Sequence, residues 1–183
     1  MCNARRRRFL LHNCAAPPRA AYGMSNAPAP TPNASPIFRL ATTADTPTLL
    51  SFMRALNEAD PGPTPFDEPA AREALEKFLA TESFGRAWLI LDGAAPVGYV
   101  VLTLGYGLEY HGRDAFIDEF FLAASHRSRG WGRAAVAFVE DAARSLGVRA
   151  LHLEVSHSNP RAYDFYRRAG FEDYRRRLLN KWL

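Results

Sequence analysis

Cysteine is nearly absent: the 183-residue chain holds two, Cys2 and Cys14, both within the first 36 residues. Everything after them lacks a thiol, which excludes a cysteine nucleophile, a disulfide framework and a structural zinc site from the folded part. Histidine is scarce too. His12, His111, His126, His152 and His157 stand apart, and none pairs with another His or Cys at metal-ligand spacing. No apolar run approaches the roughly 18 residues that a membrane span needs, so a transmembrane protein is excluded and a cytoplasmic one expected. Lysine is limited to Lys77 and Lys181, against 21 arginines. No segment matches G-x-x-x-x-G-K-[ST], which removes the Walker loop.

What is present is globular in composition, 48% hydrophobic and 23% charged, with enough length for one domain and a buried core. The formal charge of +4 raises a nucleic-acid partner only until the charges are located. Residues 1–36 carry five arginines and no acid, with prolines at 17, 18, 28, 30, 32 and 36 and no periodicity. Such a segment buries too little apolar surface to offset its ordering entropy, so residues 1–36 are expected to be a disordered leader. Residues 37–183 are then the domain, with 18 basic against 19 acidic residues. That balance argues against nucleic acid. It is uneven along the chain: residues 37–124 hold six basic and 13 acidic side chains, residues 125–183 hold 12 and six.

Thr46-Pro47 reads as a cap and first helical residue, and Leu49, Leu50, Phe52, Met53 and Leu56 continue at helical spacing. A second helix is predicted over 67–80 after a proline-rich loop. Strands are predicted at 86–91 and 97–104, joined by Asp92-Gly93-Ala94-Ala95-Pro96 as a hairpin, and at 115–123. Residues 130–146 then read as a helix, 151–155 as a strand and 160–169 as a helix, leaving room for a last strand or hairpin before Leu183. The order gives an α/β (α+β) fold: a mixed, mostly antiparallel sheet with helices on both faces and a β-α-β unit at its centre.

The junction Leu122-Ala123-Ala124-Ser125-His126-Arg127-Ser128-Arg129-Gly130-Trp131-Gly132-Arg133 carries the clearest chemistry. Glycines at 130 and 132 bare the backbone where a helix begins, so N–H groups can close on an anion at the positive end of the helix dipole. Arg127, Arg129 and Arg133 flank them, which favours a pyrophosphate. The stretch Gly130-Trp131-Gly132-Arg133-Ala134-Ala135 also fits a dinucleotide fingerprint, with Glu154 about 20 residues on. Only 51 residues follow Gly132, too few for the further βαβ units that fold requires.

Arg127-x-x-Gly130-x-Gly132, followed by Asn159-Pro160-Arg161-Ala162-Tyr163-Asp164-Phe165-Tyr166-Arg167-Arg168-Ala169-Gly170-Phe171, resembles the GNAT superfamily of acyl-CoA-dependent N-acyltransferases. The second stretch is similar to that family's N-x-x-A-x-x-F-Y-x-x-x-G-F signature. Phe116-Ile117-Asp118-Glu119-Phe120-Phe121-Leu122 looks most like the spermidine/spermine (polyamine) N-acetyltransferase branch. The resemblance covers residues 37–183. It implies acetyl-CoA as co-substrate and no metal, with Phe120, Phe121 and Leu122 along the pantetheine arm and Arg127, Ser128, Arg129, Gly130, Trp131, Gly132 and Arg133 around the pyrophosphate. Asn159 and Tyr166 match the residues near pantetheine and sulfur. A homodimer is implied as well, because edge strands of this fold often pair between subunits.

Acylating an amine with a thioester requires a neutral amine, an oriented carbonyl and a proton for the departing thiolate. Asp118 and Glu119 are the candidate bases, since burial in a strand makes a carboxylate a better proton acceptor. Neighbouring strand residues face opposite ways, so at most one is expected to meet the substrate directly. The resemblance places the base at Asp118, with Glu119 still in contention. It makes Tyr166 the general acid and the backbone N–H of Leu122 the oxyanion donor. Glu58, Asp60, Asp67, Glu68, Glu109 and Asp114 suit a cationic amine, with Phe52, Tyr106 and Tyr110 as pocket walls. The expected reaction is direct acetyl transfer in a ternary complex to a primary amine of a small cationic substrate. A peptide or protein amine, or a non-catalytic acyl-CoA-binding module, are the alternatives.

Overall fold

The computed structural model describes residues 8–9, 35–61 and 65–181. The elements run β1 (Arg8–Phe9), β2 (Ile37–Leu40), α1 (Thr46–Ala59), α2 (Glu68–Ala80), β3 (Gly85–Asp92), β4 (Ala95–Gly107), β5 (Gly112–Leu122), α3 (Trp131–Ser145), β6 (Ala150–His152) and α4 (Pro160–Arg168). Strands β2, β3, β4 and β5 form a continuous antiparallel sheet, and β1 and β6 pair with β5 in parallel at different places along it. The mixed sheet, the hairpin and all four helices thus follow the sequence reading.

The ends of β3 to β6 differ from the expected ranges by one to three residues, and three further differences stand out. A strand, β2, precedes the first helix: it begins directly after Pro36, and four residues suffice to add an edge to β3. Helix α1 starts at Thr46 rather than after it, because Asp45 takes the N-cap position at the end of a preceding 3-10 turn. Residues 171–181 form no strand. The leader expectation for residues 1–36 lies outside the described residues, apart from Arg8–Phe9 and residues 35–36.

The sheet is covered on both faces, and strand parity shows it. Trp88 and Ile90 of β3 join Val100 and Leu102 of β4 in one core with α3 and α4. Ala87, Leu89 and Leu91 join Tyr99 and Val101 in a second core with α1 and α2. Both parities are buried, which is why β3 is an uninterrupted apolar run. Helix α3 presents Trp131, Ala135, Val136, Val139 and Ala143 inward, whereas Ala137 is exposed.

Close approach of β4 and β5 depends on Gly98, opposite Leu122. A Cβ there would lie 2.3 Å from the Phe121 carbonyl oxygen, a backbone atom with no room to give. Gly98→Ala is therefore expected to destabilise the fold by about 2 kcal/mol, lowering Tm by roughly 5 °C in a circular-dichroism melt.

Candidate active site

The site begins where two parallel strands part. Strand β6 pairs with β5 only from Asp114 to Phe116, and beyond that point Leu153–Ser156 leave the sheet. The gap this opens is faced by one parity of β5. Ala123 donates its N–H to the Val97 carbonyl on the β4 side, so alternation turns the backbone groups of Phe120 and Leu122 toward the gap. Backbone pairing on that edge already occurs, because Arg8 and Phe9 of β1 lie in register with Glu119 and Phe120. Phe121 has the other parity. Its ring packs in the α1/α2 core near Phe52 and Tyr99, so it stands behind the gap and does not line it as expected.

Strand β5 also carries a bulge. Val101 pairs with Glu119 and Leu102 with Ile117, leaving Asp118 as the extra residue. Its effect is legible in the cores: Ile117, Phe120 and Leu122 all face α3, although simple alternation would separate Ile117 from the other two. The bulge interrupts the regular alternation on which the opposite facing of Asp118 and Glu119 was expected. Glu119 is held on the α1/α2 face, its Oε2 accepting the Tyr99 hydroxyl at 2.8 Å. Tyr99 is fully buried.

Past Leu122 the chain enters the phosphate loop. Gly130 is the N-cap of α3 with φ 83°, and Ser128 is also left-handed at φ 61°. Glycine tolerates that conformation without strain, and such reversals turn successive N–H groups to one side as an anion nest. The first helical hydrogen bond runs from the Ala134 N–H to the Gly130 carbonyl. The N–H groups of Trp131, Gly132 and Arg133 precede it and stand at the positive end of a 15-residue helix. Arg129 and Arg133 are exposed beside them. Trp131 contributes only backbone, since its indole is buried in the α3 core. Arg127 is built into the loop: its Nε donates to the Leu122 carbonyl at 2.7 Å and its guanidinium lies over the Phe121 ring.

Helix α4 closes the other side. Asn159 is buried and caps it, Oδ1 accepting the Ala162 N–H at 3.0 Å. Tyr166 is buried in the same core as Phe120 and Leu122, against Phe165 and Phe171. Desolvation pushes its phenol above the usual tyrosine value, so it stays protonated at neutral pH. The structure therefore brings Phe120, Leu122 and Tyr166 together beside the gap, with the phosphate loop at its end.

Residues 50–171 match the Acetyltransferase (GNAT) family. The chain belongs to the GNAT acetyltransferase family. A 65-residue stretch is 37% identical to the Uncharacterized N-acetyltransferase YycN of Bacillus subtilis (strain 168), spanning 36% of this chain and 42% of that protein's length. Among solved structures, an integron cassette protein from the mobile metagenome of Cole Harbour Salt Marsh is 38% identical with a TM-score of 0.69, covering 80% of this chain and 90% of its own. A GCN5-related N-acetyltransferase from Ralstonia eutropha JMP134, at 17% identity and TM-score 0.66 over 80% of this chain and 99% of that one, shares the fold. Family membership supports acetyl-CoA as the donor, and among the described residues no cluster of metal-ligating side chains occurs. No described helix is long and apolar enough to cross a membrane.

Within this GNAT fold the acidic residues assigned to an amine site are largely committed elsewhere. Asp67 caps α2, Glu68 pairs with Arg54 and Arg72, and Glu109 pairs with Arg176. Asp114 lies 3.7 Å from His152. The aromatic walls separate as well: Phe52 stacks near Tyr99, Tyr110 packs on His152, and Tyr106 is exposed. Residue-level reading missed Tyr99, whose sequence position looks like any strand aromatic. It also missed Arg161, which reaches from α4 to the Ser128 hydroxyl at 2.7 Å and sits at an unconstrained position of the second motif.

Proposed function

We propose that this GNAT family member transfers the acetyl group of acetyl-CoA to a primary amine of a small cationic substrate, by direct attack in a ternary complex. The observation that carries the reading is the parting of β5 from β6, with the backbone of Phe120 and Leu122 facing the gap and the N-terminus of α3 at its end. The Phe120 backbone would hold a pantetheine amide as a neighbouring strand does, leaving the Leu122 N–H for the thioester carbonyl. Residues 128–133 would hold the pyrophosphate, with Arg129 and Arg133 adding charge. Arg127 serves by shaping the loop.

Each proton has a place in this reading. Asp118, outside the regular ladder, takes the ammonium proton, directly or through water, so that the amine is neutral when it attacks. The Leu122 N–H receives the oxyanion as the carbon–nitrogen bond forms. Tyr166 donates its proton to the thiolate as the carbon–sulfur bond breaks, a role suited to a phenol that burial keeps protonated, and the second proton shed by the acylated nitrogen returns to Tyr166 through water, so that the net proton released is the one taken by Asp118. Glu119, fixed by Tyr99 beside Phe52, holds the cationic acceptor.

The test is coenzyme selectivity followed by an amine screen. CoA at about 100 times its Kd should stabilise the protein by about 2.7 kcal/mol and raise Tm by several degrees, and NAD should not. Release of free thiol from acetyl-CoA is then expected with polyamines or other small primary amines. Binding without turnover on any amine favours a non-catalytic module, and turnover confined to peptides moves the acceptor class. The leader bears on the same edge. A chain starting at Met24 should fold and show a lower KM for acetyl-CoA at unchanged kcat, since Arg8–Phe9 no longer occupies the backbone of Glu119 and Phe120. A raised KM would instead make the leader part of the site.

A further inference from the structure

One polar chain centred on the buried His126 has no part in the reaction above. The imidazole of His126 uses both nitrogens: Nε2 lies 3.1 Å from Asp92 Oδ2 and Nδ1 lies 2.9 Å from Ser125 Oγ. A neutral ring satisfies both contacts at once, donating from Nε2 to the carboxylate and accepting the serine proton at Nδ1. The residue is 6% exposed, and its ring packs on Trp131 with centroids 4.9 Å apart. A Ser–His–Asp order is that of a nucleophile relay, but here the imidazole is sealed against the helix and its aspartate stands on another strand. The three residues join segments.

Those segments are the ones that set the loop. Asp92 is the last residue of β3, His126 ends the turn that follows β5, and Trp131 is the first residue of α3. A buried polar group with both partners in place is rigid, because moving it strands a donor and an acceptor away from water. Through Trp131 that rigidity reaches the first turn of α3, whose N–H groups face the proposed coenzyme phosphates. The opposite flank of the loop is tied separately, by Arg161 to Ser128. The contact on the β3 side thus ties the end of β3 to the residue that opens α3.

We infer that His126 and Asp92 form a positioning clamp for the coenzyme's phosphates, setting acetyl-CoA affinity without touching the reacting atoms. The inference rests on the coenzyme reading above. Its mark is selectivity for the phosphorylated part of the donor, which general loosening of the fold does not produce.

The experiment compares wild type, His126→Ala, His126→Gln and Asp92→Asn by CoA calorimetry, and by kinetics with acetyl-CoA and with S-acetylpantetheine, which lacks the phosphates. His126→Ala and Asp92→Asn are expected to weaken CoA binding and raise the acetyl-CoA KM about tenfold, the equivalent of one charge-assisted hydrogen bond, with kcat near wild type. With S-acetylpantetheine the penalty in kcat/KM should be much smaller. His126→Gln, which keeps a donor toward Asp92, should recover part of the loss. Asp92→Asn keeps the shape of the site and decides the matter if His126→Ala fails to fold. Equal penalties with both donors, or unchanged CoA affinity in Asp92→Asn, would overturn the clamp while leaving the coenzyme reading standing. A wild-type protein that binds no CoA overturns both.

Discussion

Tyr166→Phe is expected to lower kcat by about 100-fold or more, the typical contribution of a positioned general acid, while the Kd for CoA stays near wild type. The phenol is buried in the core that includes Phe120 and Leu122, so phenylalanine keeps the packing and removes only the hydroxyl. Burial holds the phenol above its ordinary value, so a proton remains available for the thiolate across the neutral range. Stopped-flow or steady-state thiol release, alongside CoA calorimetry on the same variant, separates chemistry from binding. An unchanged kcat would remove Tyr166 from the reaction and leave it as core, with the thiolate protonated from solvent. A fall in CoA affinity equal to the fall in kcat/KM would make it a binding residue.

The second large effect concerns the adjacent carboxylates. Asp118→Asn should reduce kcat by about 100-fold at neutral pH and recover as pH rises and more amine is already neutral. Glu119→Gln should instead raise the KM for the amine, by about tenfold for a lost charge-assisted contact, with a smaller change in kcat. The two outcomes differ because the bulge removes Asp118 from the ladder, whereas Glu119 remains opposite Val101 with its carboxylate on Tyr99. Initial rates over a range of amine concentration and pH give the split directly. If Glu119→Gln lost kcat and Asp118→Asn did not, the base would be Glu119. Removal of either carboxylate without effect on kcat or KM would show that the acceptor arrives neutral and uses neither.

Much of the fold was legible because local signals agreed with one another. Thr46-Pro47 and Asn159-Pro160 both mark helix starts, Gly147 and Gly170 follow helix ends in the left-handed conformation, and the apolar runs of β3 and β4 flank the Gly93-Ala94 turn. The missed β2 is four residues long, and its place was decided by the edge of β3 rather than by its own composition. The tail, which includes Tyr174, Leu178 and Leu179, has length enough for one more strand or hairpin. In the structure those side chains are exposed and the segment is unpaired.

The site was legible in part for a different reason. In the proposed coenzyme site, Gly130 and the residues around it would work through backbone groups at a helix start, and a helix start leaves a mark in sequence. The arginines did not divide so simply. Arg127 looked like Arg129 and Arg133 in the chain, but only the folded loop turns its guanidinium back over Phe121. The acids of the first half likewise read as one field until ion pairs and a helix cap accounted for several of them individually.

By itself, the sequence determined that residues 37–183 contain no cysteine, that a mixed sheet carries four helices, and that two glycines mark the start of α3. These follow from residue types and from periods of two and 3.6, which are properties of neighbouring positions. Only the tertiary structure decided that β5 parts from β6 beyond Phe116, that Asp118 falls on a bulge, that Tyr99 holds Glu119, and that Asp92 and His126, 34 residues apart, meet beneath the phosphate loop. Each of these depends on how separate strands register against one another. That register is set by packing across the whole sheet, and no local stretch of the chain records it.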